Sequence, residues 1–132
     1  MKSQNKKNFY CYIQNKPFGN YYLPTRFQYV ILRDYYNKLN ANFKMPQGEP
    51  IFTKTSIRLR SLISAMEPKS TLVLLSLYMF PENNQIRKIL FDKIMKKNIQ
   101  IHLIFEKTII KKKKDLKKIN YILKLNKFNE FN

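Results

Sequence analysis

The polar residues of this chain that could do chemistry lie where two short apolar runs give out. LVLLSLYMFP, Leu72–Pro81, carries Ser76 and ends in Met79-Phe80-Pro81, and IQIHLIFE, Ile99–Glu106, carries His102 and ends in Glu106. A serine–histidine–acid arrangement built from these three fails on spacing. His102 and Glu106 share a strand face but lie roughly 13 Å apart at about 3.3 Å per residue. Ser76 falls before its strand end, where a side chain packs. The catalytic residues are therefore unknown; Glu49 and Glu106, the acids nearest this edge, are the candidates for acid–base work. Ligand-binding candidates are Gln14 and Lys16, in the loop after the first apolar run, together with Arg26, Gln28, Arg33 and Arg87. Lys16 can hold a phosphate or carboxylate as a point charge. Arg87 stands in the first turn of its helix, an unfavourable place for a cation, so an acid or a ligand is expected beside it. With two glycines, the chain has no Gly-rich dinucleotide or phosphate fingerprint. One His and one Cys cannot form a His/Cys metal cluster, and no metal or cofactor is expected.

The elements that must position these residues follow from periodicity. Phe9–Ile13 is a first strand, and Pro17, Gly19 and Pro24 punctuate the loop after it. Thr25–Leu39 reads as a helix with Phe27, Ile31, Leu32, Tyr35 and Leu39 on its apolar stripe. Gln28 falls within that stripe, and Asp34 and Lys38 can pair across one turn. Asn42–Met45 is a short second strand. Thr55–Met66 is a second helix burying Leu59, Leu62, Ile63 and Met66, with a Thr or Ser capping its start. Thr71–Leu77 is a third strand, apolar on both faces as a central parallel strand is. Asn83 or Asn84 caps a third helix with Ile86, Ile89, Leu90 and Ile94 inward. Ile99–Phe105 is the fourth strand, and the run Lys111–Lys114 leads a terminal helix with Leu116, Ile119, Ile122 and Leu123 on one side. Alternation of this kind predicts an α/β fold: a doubly wound, mainly parallel four-stranded sheet, order 2-1-3-4, with helices on both faces, of flavodoxin-like pattern. Its switch point lies between strands 1 and 3, in a crevice bounded by Gln14–Gly19 and Tyr78–Pro81. Residues 1–8 form a flexible basic lead-in, 9–126 a single domain and 127–132 a tail.

The chain of 132 residues suits one domain, and its formal charge of +18 suits a polyanionic partner or reflects compositional bias toward Lys. Cys11, the single cysteine, lies in the strand-like run FYCYI and reads as a buried, inert thiol. No run approaches the roughly 18 apolar residues of a membrane span, no signal-peptide pattern opens the chain, and a cytoplasmic location is expected. The aromatic-rich loop Phe18–Tyr22 and the flank Phe91/Met95 offer surfaces for a partner, a homodimer among them.

An ordered set of residues carries a resemblance. Tyr12, Ile13, Pro17, Phe18, Gly19, Pro24, Gln28, Arg33, Asp34, Tyr35, Ser76, Leu77, Pro81, Arg87, His102 and Glu106 match, in order, the pattern of the sporadic carbohydrate cluster protein family. Lys16 stands where that family shows Arg, Thr25 where it shows Gln, Tyr36 where it shows Cys, and Met79 where it shows Gln. The resemblance implies a bacterial protein of surface-polysaccharide biosynthesis that binds or modifies a sugar-phosphate or nucleotide-sugar intermediate, with no reaction defined. The element pattern is also similar to the catalytic domain of serine recombinases, whose nucleophile and Arg positions are here Gln14, Asn15 and Lys16, and Tyr78, Met79 and Phe80. The alternative is thus a nucleic-acid-binding or regulatory protein with an inactive recombinase-like domain.

Overall fold

A computed structural model describes residues 8–15, 17–19, 22–42, 47–48 and 56–129, the side chains of 47–48 and 126–129 excepted. The elements are β1 (Phe9–Ile13), α1 (Thr25–Lys38), β2 (Gln47–Gly48), α2 (Ile57–Ala65), β3 (Thr71–Leu74), α3 (Asn84–Lys96), β4 (Gln100–Leu103), β5 (Thr108–Ile110) and α4 (Lys113–Asn129). The chain is an α/β protein with a mostly parallel sheet. β1, β3 and β4 pair in parallel, with Tyr10 opposite Leu72 and Leu72 opposite Ile101. β5 closes the sheet antiparallel to β4, with His102 opposite Ile109. The two residues of β2 add in parallel to the other side of β1, giving the order β2-β1-β3-β4-β5. The expected strand at Asn42–Met45 falls mainly outside the described residues; Gln47 and Gly48 are the residues that pair.

All four residues of β3 are buried, as the apolar run requires of a strand flanked on both sides. The strand is shorter than expected: after Leu74 the chain leaves the sheet, and Leu77–Met79 forms a 3-10 turn with Ser76 accepting from Tyr78 N at its start. Likewise β4 stops at Leu103, and residues 104–107 turn the chain back into β5, which was not expected from the sequence. Helix α4 runs to Asn129, beyond the expected domain boundary at 126.

Two helices present a different face to the core from the one their apolar spacing predicts. In α1 the buried residues are Gln28, Leu32 and Tyr36, while Phe27 is 53% exposed and Leu39 is also exposed. In α3 they are Arg87, Leu90, Phe91 and Ile94, and Ile89 is 57% exposed. The change is less than one residue's turn of about 100°, because Leu32 in α1 and Leu90 and Ile94 in α3 are buried as expected. In each case a long polar side chain, Gln28 or Arg87, lies inside with its hydrogen-bonding groups satisfied. Turned outward, Gln28 would abandon the backbone of Gln14, and Arg87 the carbonyls of Pro81 and Glu82. Each buried group so stranded costs about 1–3 kcal/mol, enough to outweigh one exposed Phe or Ile. On α4, Leu116, Ile119 and Leu123 are buried as expected and Ile122 is exposed.

The helix ends are tied deliberately. Asn83 Oδ1 accepts from Ile86 N at 2.9 Å and caps α3. Ser56 precedes α2 in the left-handed region, φ 54°, and makes no side-chain cap bond. At the other end of α2, Lys97 Nζ donates to the carbonyls of Ile63, Ser64 and Met66 at 3.0, 2.6 and 2.8 Å, placing a cation on the negative end of the helix. Lys38 pairs with Asp34 at 3.2 Å across one turn of α1. In the core the Cys11 thiol and the Tyr36 hydroxyl are neighbours, and burial pushes the thiol up to about 11 from 9.0. The Tyr36 hydroxyl is likewise raised well above its ordinary value, chiefly by burial.

Candidate functional site

A cavity of about 210 Å³ opens at the carboxyl ends of β1 and β3. Gln14, Pro17, Phe18 and Gly19 line it from the loop after β1, and Tyr78, Phe80, Pro81 and Glu82 from the segment after β3. These are the two segments that bound the crevice expected from strand order. Ser56, at the start of α2, completes the lining.

Gln28 fixes the end of β1. Its Oε1 accepts from Gln14 N at 3.1 Å, while its Nε2 donates to Gln14 O at 2.6 Å and Leu23 O at 2.7 Å. The side-chain amide thus takes up both backbone groups of Gln14, as a neighbouring strand would. Held this way, Gln14 is 2% exposed and turns its own amide toward the segment after β3: Nε2 donates to Met79 O at 2.9 Å and Tyr12 Oη at 3.1 Å. Its Oε1 is buried without a hydrogen-bond partner among the described residues. The oxygen has almost no surface open to the cavity, so a donor reaches it only if the wall shifts.

The loop itself is pressed against Tyr78. Gly19 has φ +63°, and a Cβ there would stand 2.8 Å from two atoms of the Tyr78 ring, so no larger residue fits without movement. Phe18 is buried and stacks on Phe105 with ring centroids 6.4 Å apart. Pro81 and Glu82 are held from below by Arg87, whose Nη1 donates to their carbonyls at 2.9 and 3.2 Å. Arg87 Nη2 donates to Asn84 Oδ1 at 2.6 Å and Nε to Asn120 Oδ1 at 2.7 Å, so one guanidinium ties the cavity wall to α3 and α4. Burial pulls the Arg87 pKa below its usual value, and the Glu82 charge acts the other way.

The other candidate residues lie as follows. Glu106 and Ser76 do meet, although the extended-strand distance separates Glu106 from His102. The turn at 104–107 brings Glu106 back, and its two oxygens accept from Ser76 Oγ at 2.8 Å and Leu77 N at 3.0 Å. His102 is engaged elsewhere, with Nδ1 2.7 Å from Tyr35 Oη, so no Ser-His-acid relay forms. Arg26 and Arg33 are exposed on α1 and do not line the cavity. Arg87 and Gln28 are buried and position its walls. Lys16 and Glu49 lie outside the described residues. Sequence reasoning missed Ser56 and Glu82; the signal for Glu82 was its place directly after SLYMFP, the segment already assigned to the crevice. Among the described residues no group of three or more His, Cys, Asp and Glu side chains could hold a metal ion, and no helix is long and apolar enough to cross a membrane. No protein-family model matches this chain, and no curated protein sequence matches it either.

Proposed function

We propose that this chain binds a phosphorylated sugar in the cavity between the loops that follow β1 and β3, as a small protein of bacterial surface-carbohydrate biosynthesis. The reading takes the fold as doubly wound, with helices on both sheet faces, so that the cavity is the crevice at the switch point. The observation that carries it is the polar lining that Gln14, Ser56 and Glu82 give this cavity at the carboxyl ends of β1 and β3. A sugar offers hydroxyl donors to the carboxylate of Glu82, which stands at the rim and is exposed. The positive end of the α2 dipole, beside Ser56, favours an anionic group at the same cavity. The volume lies below the roughly 300–1,000 Å³ of drug-sized pockets, which favours a monosaccharide phosphate over a whole nucleotide sugar.

Calorimetry at low salt against a panel of hexose phosphates and nucleotide sugars tests this. Saturable binding of a hexose phosphate, weakened at least tenfold by Gln14→Met in a protein of unchanged circular dichroism, is the expected result. Absence of saturable binding to any member of the panel refutes the proposal. The nucleic-acid alternative draws on the nine lysines that stand against one acid between residues 107 and 127. It predicts DNA affinity that falls steeply with salt.

A further inference from the structure

Next to the cavity wall, which Arg87 ties to Asn84 and Asn120, α3 and α4 enclose a groove of about 380 Å³ that both asparagines line. Its floor is apolar: Phe91 and Leu116 from facing helices, with half-buried Met95 at one end. Its rims are cationic, with exposed Lys88 on α3 and Lys113, Lys117 and Lys124 along α4, against the single acid Asp92. The lining runs from Asn84 to Met95 on α3, which at 1.5 Å per residue is about 16 Å, or three helical turns.

The geometry points to this groove as a docking site for an acidic amphipathic helix of another protein. Charge complementarity selects the occupant. A helix with apolar anchors at i, i+4 and i+7 spans about 10 Å and lays its apolar face on the floor, while flanking Asp or Glu residues meet lysines on both sides. A second copy of this chain, at +18, would bring like charge to the same rims. Single-stranded nucleic acid needs open aromatic faces for its bases to stack on. The groove offers none: Phe91 is 8% exposed and already packs edge-on against Phe80, with centroids 5.0 Å apart. A concave, apolar-floored channel between two helices also suits a convex helix better than the plane of an anionic bilayer.

The probe is a fluorescein-labelled, helix-stabilised peptide of fourteen residues, with Leu at three anchor positions and Glu on both flanks, titrated with the full chain at 150 mM salt and read by anisotropy. The expected result is saturable binding that weakens at least tenfold in the double variant Lys113→Glu/Lys117→Glu and in a peptide with its anchors changed to Ser. A control of equal charge change on a distant helix, Arg26→Glu/Lys38→Glu, should move affinity less than threefold. All four substituted side chains are exposed, so both proteins should stay folded, the control with a slightly lower melting temperature because it loses the Asp34–Lys38 pair. The proposal is overturned if the peptide does not bind, if the Ser peptide binds equally well, or if the control loses as much affinity as the groove variant. It is also overturned if a thymidine oligonucleotide or anionic vesicles bind the groove more tightly than the peptide does.

Discussion

Replacing Arg87 with methionine removes a charge that is 1% exposed and hydrogen-bonded to four neutral acceptors in three segments of the chain. Four bonds from a charged donor contribute about 1.5–2 kcal/mol each, roughly 6–8 kcal/mol together. Burying the guanidinium takes back several kcal/mol, which the methionine variant recovers. The difference leaves a net loss of about 3 kcal/mol, for a methionine side chain of similar length that fills the space. For a chain of this size such a loss lowers the melting temperature by roughly 10 °C. Urea unfolding followed by circular dichroism measures it as a fall in midpoint at constant slope. Arg87→Lys should lose nearly as much, because an ammonium on a flexible stem cannot satisfy Pro81, Glu82, Asn84 and Asn120 together. A methionine variant within 1 kcal/mol of the parent, or a lysine variant at full stability, would show that the fork of bonds does not hold these segments.

The rotated face of α1 predicts an inverted pattern of tolerance: Phe27→Ser should change stability by less than about 0.5 kcal/mol, whereas Gln28→Leu should cost about 2–4 kcal/mol by stranding the buried backbone of Gln14. Equal effects in denaturant melts would contradict the assignment. Gly19→Ala combines a positive φ with a collision against Tyr78, and should destabilise by about 1–3 kcal/mol while narrowing the cavity; a stabilised alanine variant would show that the loop yields freely. Cys11 and Tyr36 keep their protons in the folded core above the pH at which the unfolded chain ionises them. The Cys11 contribution is therefore complete below pH 9.0 and lost as pH rises to about 11, while that of Tyr36 declines from about pH 10.0 upward, so the urea midpoint should fall across that interval. In Cys11→Ala/Tyr36→Phe the fall should flatten. A parent midpoint that is level from pH 8 to 11 would contradict the burial of both groups.

Much of this architecture can be read from the sequence, because strands and helices are marked by run length and period. β1 occupies Phe9–Ile13 as its apolar run dictates, and the buried set of α2 is the one its spacing names. What periodicity could not reveal is where a polar residue is the one turned inward. Gln28 reads as an interruption of a stripe that ends at Leu39, yet it defines the face. Arg87 reads as a misplaced cation in want of an acid, yet its partners are two carbonyls and two asparagine amides, and an amide acceptor leaves no charge signature in a sequence. β5 escaped because Thr108–Ile110 is three residues long and runs straight into lysines. The crevice itself was legible, since strand ends locate it. Its one unsatisfied atom was not, because the pairing of Gln14 Nε2 with Met79 O depends on a contact across 65 positions.

The place of β1 in the sheet has a consequence for how the protein is made. Tyr10 and Cys11 pair with Leu72 and Val73, about sixty positions further along, whereas β4 and β5 join through a short turn. Contacts of such long span form late, after the local units they join. At roughly 5–20 residues per second, the ribosome releases FYCYI about 3–12 s before β3 exists to receive it. Through that interval β1 lacks its β3 neighbour, and Cys11, Tyr12 and Ile13, all buried in the fold, stand in water. A nascent chain stalled before residue 71 would therefore offer this segment to chaperones or to other copies of itself.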